Sequence, residues 1–399
     1  MAVARPIILQ IIPRLDTGGA ELSTLEIVEA IVRGGGVALV ATEGGRLAPM
    51  VSERGGEVIA FPAAAKNPLR ILANARALEA LIRERGVALL HARSRAPAWS
   101  ALIAARRARV AFVTTYHGAY AEQGPLKRLY NSVMARGDVV IANSQFTADL
   151  IHTRYRTSRE RIRVIHRGVD ASEFDPAAIS DARIVALRER WGITPRTRVI
   201  LQAARLTSWK GQGVLVDAGA LLQSRGLMHG VAMVLAGDAQ GRVGYESTLR
   251  ERISMLGLGD CVRLVGHVDD MPAAYRIAHV TVVASIEPEA FGRVATEAQA
   301  MGSPVIATNI GAPPETVLAE PAVSRDKITG WLVAAGSSGA LADRLADALA
   351  LSGPERAVIG ERARAHVRQR FTLEAMKRQT LEVYDRLLGT DLAAGLAEP

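Results

Sequence analysis

Short apolar runs alternate along the chain with stretches of helical periodicity. In the first half the runs fall at residues 7–12, 37–42, 87–91, 110–116, 139–143 and 164–166, and in the second half at 199–203, 231–236, 262–265, 280–285, 305–308 and 331–333. Runs this short that are apolar on both faces predict strands covered on both sides by helices, hence parallel sheets of an α/β protein. The pattern predicts two doubly wound, Rossmann-like domains. The first covers residues 1–175, a linker region around Pro176 and Pro195 covers 176–195, and the second covers 196–365. A helical tail follows over 366–399, where Phe371, Met376, Leu381, Tyr384, Leu387 and Leu388 form an apolar stripe that could pack back on either domain.

Length and composition support this division. A chain of 399 residues exceeds the roughly 100–200 residues usual for one domain. With 49% hydrophobic and 22% charged residues it has too many apolar groups for an intrinsically disordered chain. A single cysteine, Cys261, excludes an intramolecular disulfide framework and fits a reducing, cytoplasmic setting. The apolar run at residues 7–12 is too short and too early for a signal peptide, and no uninterrupted apolar stretch reaches the ~18 residues of a membrane span. Any membrane contact is expected to be peripheral.

Charge is unevenly placed. Residues 1–195 hold 27 basic and 18 acidic side chains, whereas residues 196–399 hold 22 of each, so the whole excess of nine lies in the first half. A basic half beside a neutral one suits a polyanionic neighbour such as nucleic acid, an anionic membrane or a phosphorylated acceptor; solvated arginine-rich faces would give the same count. Arg106, Arg107 and Arg109 form one cluster, and Arg154, Arg156, Arg159, Arg161 and Arg163 another. Aromatic residues make up only 4%, too few for a base-stacking platform, so no nucleic-acid partner is expected. Over residues 124–136, Leu126, Leu129, Tyr130, Val133 and Met134 recur at helical spacing beside Lys127, Arg128 and Arg136. That pattern fits a helix packed on its own domain, or an interfacial helix on an anionic membrane.

Candidate chemistry concentrates after the second-half strands. Glu289 and Glu297 flank a loop and the start of a helix, with Phe291, Gly292, Arg293 and Val294 between them. Exposed amides at such a helix start hold anions, and the glutamates can accept hydrogen bonds from sugar and ribose hydroxyls. Arg205 and Lys210 follow the second half's first strand, where two cations can neutralise a diphosphate. Gly237 and Gly266 end two further strands and allow close backbone approach, Gly266 leading into His267 and Val268. In the first half, Gly18 and Gly19 join the first strand to an amphipathic helix, and His117 follows a strand. No Gly-x-Gly-x-x-Gly is present, which weakens a dehydrogenase reading; no Asp-x-Asp and no histidine pair at metal-ligand spacing occur, so no protein-held metal is expected.

Together these residues resemble glycosyltransferase family 4. The most specific piece is Glu289-Ala-Phe-Gly-Arg-Val-Ala-Thr-Glu297 with the flanks that follow it, through Gly311-Ala-Pro-Pro-Glu315, which is similar to the family's Glu-x7-Glu signature. The resemblance implies the two-domain GT-B fold, with the domains facing across a cleft, and retaining transfer of a sugar from a nucleotide-diphosphate sugar, UDP by resemblance. It implies no metal or other cofactor, and a glycan or lipid-linked acceptor of envelope polysaccharide or lipopolysaccharide synthesis. By the same resemblance, Glu289 and His117 attend the transferred sugar. Arg205 and Lys210 take the diphosphate, and Glu297 the ribose. Gly18 and Gly19 match the N-terminal glycine loop, backbone amides from Phe291 to Val294 meet hydroxyls and phosphate, and Gly266, His267 and Val268 meet the base. One departure stands at the hinge, where the family commonly has Pro-Asn-Gly-Val-Asp and this chain has His166-Arg167-Gly168-Val169-Asp170. The same scaffold could instead carry a nucleotide-sugar epimerase or hydrolase, and the basic half alone would fit a non-enzymatic binder of anionic lipid or nucleic acid.

Overall fold

A computed structural model describes the chain except residues 1–4, Thr17, 121–123, Gln240, Arg242 and 397–399. The chain forms two compact units, Met1–Arg167 with Glu374–Pro399, and Gly168–Leu373.

The first unit is built on seven parallel strands: β1 (Ile7–Ile11), β2 (Val37–Thr42), β3 (Glu57–Ala60), β4 (Val87–Ala92), β5 (Ala111–Tyr116), β6 (Val139–Ala142) and β7 (Ile162–Val164). They lie in the order β3-β2-β1-β4-β5-β6-β7. The second unit has six: β8 (Arg198–Ala203), β9 (Val231–Ala236), β10 (Val262–Gly266), β11 (Ala278–Val283), β12 (Val305–Thr308) and β13 (Gly330–Val333). Their order is β10-β9-β8-β11-β12-β13, again all parallel. Central strands are buried on both faces, as their unbroken apolar runs require; β9 is buried along all six residues. Strand order reverses between β1 and β4 in one sheet and between β8 and β11 in the other. Loops beyond the carboxyl ends of those strands are where doubly wound sheets present ligand groups.

Three details differ from the sequence reading. Strand β3 has no counterpart in the apolar runs, because Glu57 and Ala60 are exposed at the sheet's edge and leave only Val58 and Ile59 as apolar signal. Residues 176–195 are not a free linker: helix Asp181–Trp191 buries Leu187 and Trp191 in the core of the second unit. The units divide instead at Arg167 and Gly168, where Val169 bridges Thr372 and a side chain on Gly168 would collide with the Leu373 backbone. Finally, the tail is shared between the units. Helix Gly353–Arg370 buries Ile359, Ala363 and Val367, while helix Leu373–Leu388 belongs to the first unit from Glu374 onward. There Leu381 and Tyr384 are fully buried, and Lys377 bonds Glu29 and Glu374, each at 3.0 Å.

Candidate active site

In the second unit, the loop after β8 turns sharply to bring Lys210 back over the sheet. Gly211 has φ of 72°, and a Cβ there would lie 1.9 Å from the Ala284 carbonyl oxygen, so only glycine lets this loop lie against the end of β11. Backbone and side-chain bonds fix the approach. Ile286 N donates to Trp209 O at 2.8 Å, Gln202 Nε2 donates to Lys210 O at 2.7 Å, and Gln212 Nε2 donates to Arg205 O at 2.9 Å. Lys210 Nζ sits 4.2 Å from the Trp209 ring centroid and forms an ion pair with Glu289. Arg205 projects from the same loop and is exposed.

Glu289 is 8% exposed and held from both ends. Its Oε1 accepts the Ser285 hydroxyl at 2.6 Å as well as Lys210 Nζ. Its backbone forms a bridge to Gly311, whose Cβ would meet Glu289 O at 2.3 Å, and Ala312 N donates to Glu289 O at 2.9 Å. A buried carboxylate with a cation and a hydroxyl on one oxygen is a preset acceptor for ligand hydroxyls. The helix Arg293–Ala300 begins after Gly292, which has φ of 83° and supplies no side-chain cap. Glu297 lies in its second turn, as expected from spacing; Oε2 accepts Tyr275 Oη at 3.1 Å and Oε1 accepts Arg293 Nε at 3.0 Å. Burial keeps the Tyr275 phenol well above its ordinary range, so it remains the donor to Glu297.

Other expected positions have mixed roles. Gly237 N donates to Gly266 O at 2.7 Å, joining two of the glycine turns. His267 is exposed and pairs with Asp269 at 3.1 Å, whereas Val268 is buried in the core. The Phe291 ring is also core, 5.8 Å from the Phe371 ring, which leaves backbone rather than side chain for any ligand contact; Val294 packs partly buried beside it. Lys210 thus meets Glu289, and Arg293 meets Glu297, on one edge of the second sheet. Ser285, Gln202 and Tyr275 were not singled out from the sequence. Ser285 stands four residues from its partner and is legible as a strand-end hydroxyl, whereas Tyr275 lies among the buried Pro272, Ala273, Ala274 and Ile277 of its helix and carries no local signal.

Gly18, Gly19 and His117 lie in the first unit. Gly18, with φ of 144°, precedes the helix Gly19–Arg33, and His117 follows β5. The Arg167 side chain donates to His117 Nδ1. A guanidinium has no acceptor, so Nδ1 must accept and the neutral ring carries its proton on Nε2, which is buried without a partner among the described residues. Burial first, then Arg167, Arg93 and His91, hold His117 well below the usual 6.5. Beneath it lies a polar cluster in which Arg93 bonds Ser23 and is lowered to about 10 by burial. Arg167 replaces the asparagine of the common hinge pattern and thereby sets a histidine tautomer. In Arg167→Ala the His117 imidazole pKa is expected to rise toward 6.5, read by NMR titration of the ring protons; an unmoved pKa would show that burial alone sets the protonation state.

Residues 17–173 match the family model described as Glycosyltransferase Family 4, and residues 185–366 match the model described as Glycosyl transferases group 1. A crystal structure of a glycosyltransferase from Rickettsia africae ESF-5 superposes with a TM-score of 0.87 at 34% identity, covering 97% of this chain and 99% of that one. The chain belongs to glycosyltransferase family 4. Its two parallel-sheet units are those of the GT-B fold expected from the Glu289 to Glu297 motif. A second similar structure is that of Anabaena Alr3699/HepE in complex with UDP-glucose, with a TM-score of 0.81 at 27% identity over 96% of this chain and all of that one. Among curated relatives, the D-inositol 3-phosphate glycosyltransferase of Salinispora arenicola is 34% identical over 258 residues, 63% of this chain and 55% of that protein. The family-4 chain spans about half the length of the curated relatives it matches.

Proposed function

We propose that this chain transfers a sugar from a nucleotide-diphosphate sugar, UDP-linked, to an acceptor hydroxyl with retention of anomeric configuration. The observation that carries the reading is the Lys210–Glu289 pair at the switch point of the second sheet, with Arg205 in the same loop as Lys210 and Glu297 on the helix that follows Glu289. Without donor, Glu289 holds Lys210. An arriving diphosphate competes for that ammonium, and the released Glu289 oxygen becomes free to accept sugar hydroxyls. Glu297, oriented by Tyr275 and Arg293, accepts the ribose diol. The bond from the anomeric carbon to the phosphate oxygen breaks with its electron pair going to the diphosphate, whose charge Arg205 and Lys210 stabilise. The acceptor oxygen bonds to the same face of the anomeric carbon and its proton passes to the departing phosphate oxygen, so no strong protein base is required. In the first unit, His117 Nε2, kept neutral and protonated, is a donor available to a ligand hydroxyl.

UDP in the Anabaena neighbour and an inositol phosphate in the names of the curated relatives are the starting points for the donor and acceptor panels. Acceptors of envelope polysaccharide or lipopolysaccharide type complete the second panel. UDP release that needs an acceptor supports transfer, whereas acceptor-independent turnover would favour the hydrolase or epimerase reading. In Glu297→Ala the affinity for UDP is expected to fall about 10- to 100-fold by calorimetry, the range for losing charge-assisted hydrogen bonds. Unchanged affinity would remove the ribose assignment.

A further inference from the structure

One side chain of helix Asp181–Trp191 reaches across the second unit to the segment that follows β10. Arg183 grips Asp270, 87 positions later, with two bonds, Nε to Oδ2 at 2.8 Å and Nη2 to Oδ1 at 2.6 Å, while its Nη1 donates to Ala178 O at 3.3 Å. Two-point pairing of a planar guanidinium with a carboxylate fixes direction as well as distance. The opposite face of the helix is anchored in the core. Leu187 and Trp191 are buried there and Ile184 packs against the same cluster, which also holds Val268, Ala273, Ala274 and Tyr275.

Asp270 is a junction. Ahead of it, residues 266–269 lead from the end of β10, with His267 exposed and Val268 buried. Behind it runs the helix Met271–Ile277, which Asp270 caps, its Oδ1 accepting Ala273 N at 3.0 Å. Five residues past the cap, Tyr275 donates to Glu297 Oε2 at 3.1 Å, and its ring centroid lies 6.2 Å from that of Phe174. The Arg183 guanidinium, and less so the Ala273 amide, hold the Asp270 carboxyl below its ordinary range and so keep it charged. The pair's side chains are nevertheless 40% and 33% exposed, a setting in which an ion pair adds little to the stability of a fold. What such a contact fixes is geometry.

We propose that Arg183 is a positioning residue for donor binding: by clamping Asp270 it holds, as one piece, the residues 266–268 that meet the base and the helix whose Tyr275 orients Glu297 on the ribose. This deepens the proposed transfer reaction, on whose donor site it rests. It gives the segment 176–195 a task in that reaction, because the helix within it presents the clamp. The clamp acts on the nucleoside alone, since Arg205 and Lys210 stand on the separate loop after β8.

The test titrates the full chain with UDP and with inorganic pyrophosphate by calorimetry and measures initial rates on a UDP-sugar donor. In Arg183→Ala the affinity for UDP is expected to fall about 5- to 20-fold, the size of ordering a short loop at the moment of binding, while that for pyrophosphate changes by less than about twofold. The donor KM should rise by the same factor as the UDP affinity falls, with kcat changed by less than about twofold. Asp270→Asn retains a capping oxygen but loses the charge pair, so it should reproduce the loss, and its combination with Arg183→Ala should add nothing further. Arg183→Lys keeps the charge without the two-point grip and should lose less than the alanine variant. Arg188→Ala, five residues along the same helix, removes bonds to the Thr194 and Thr197 carbonyls at 2.6 and 3.3 Å and should leave UDP affinity within about twofold. Equal losses for UDP and pyrophosphate, or a loss in Arg188→Ala as large as in Arg183→Ala, would overturn the positioning role. Full UDP affinity in Arg183→Ala would bring down this inference alone, whereas an unaltered chain that binds no UDP would bring down the donor reading together with it.

Discussion

Replacing Lys210 with methionine is expected to destabilise the second unit by about 3–5 kcal/mol and to lower kcat/KM for sugar transfer by a factor of ~100 or more. Both effects come from one contact. Lys210 and Glu289 are paired with side-chain exposures of only 18% and 10%, so removing the ammonium leaves a carboxylate desolvated, with Ser285 as its remaining side-chain donor among the described residues. The stability loss therefore belongs to the orphaned Glu289 and should largely disappear in Lys210→Met with Glu289→Gln, where the charge is removed with its partner. The catalytic loss belongs to the missing cation on the diphosphate and should persist in the double variant. Urea unfolding followed at Trp209, together with initial rates on a UDP-sugar donor, measures the two separately. A double variant as unstable as Lys210→Met alone would show that the pair is not what holds the loop. Recovery of activity in the double variant would take Lys210 out of the transition state.

Where the chain folds is legible in its apolar runs, and the candidate site is legible in its spacings, but only as far as each depends on neighbours in sequence. Glu289, Glu297, Arg205 and Lys210 are readable because each follows a strand end or opens a helix, positions that a doubly wound sheet turns toward ligand. Tyr275 is not, since its hydroxyl finds Glu297 across 22 residues from a helix that otherwise reads as core. Arg167 is visible only as a departure from a common hinge pattern; its contact with His117, 50 residues earlier, exists because the ends of β5 and β7 lie on the same edge of one sheet. The linker was misplaced because prolines and charged residues mark a solvent-facing helix as readily as a hinge, and helix Asp181–Trp191 is half buried through Leu187 and Trp191 alone. Lys66 carries no local signal, and Lys127 reads only as one cation of the amphipathic stretch 124–136. It is the fold that brings their two segments, some sixty residues apart, to one cavity.

The first unit is expected to lose stability steeply on mild acidification, before its carboxylates titrate. His91 is fully buried between the Tyr384 hydroxyl, 2.6 Å from Nδ1, and the Thr115 hydroxyl, 2.7 Å from Nε2, with Arg93 and Arg167 nearby. Burial chiefly, and then those two cations, hold its pKa well below 6.5, and His117 is shifted in the same direction for the same reasons. Folded, both rings stay neutral; unfolded, both take up protons below about pH 6.5. Stability from these groups is thus fully present above the unfolded pKa and is lost as pH falls through it toward the folded values. Each contributes a slope of about 1.4 kcal/mol per pH unit once its unfolded form is protonated, so the pair removes roughly 2–3 kcal/mol between about pH 6 and 5. Because Tyr384 lies on the C-terminal helix, the loss should appear both as that helix detaching and as opening of the strand that carries His91. Hydrogen exchange at the amides of β4, β5 and the helix Leu373–Leu388, converted to opening free energies across this range, reads it directly. In His91→Gln, which keeps a neutral donor and acceptor at the site, the slope should fall by about half. Parallel pH profiles for the variant and the unaltered chain would mean that His91 is already protonated in the fold, and that its bonds to Tyr384 and Thr115 are made by an imidazolium.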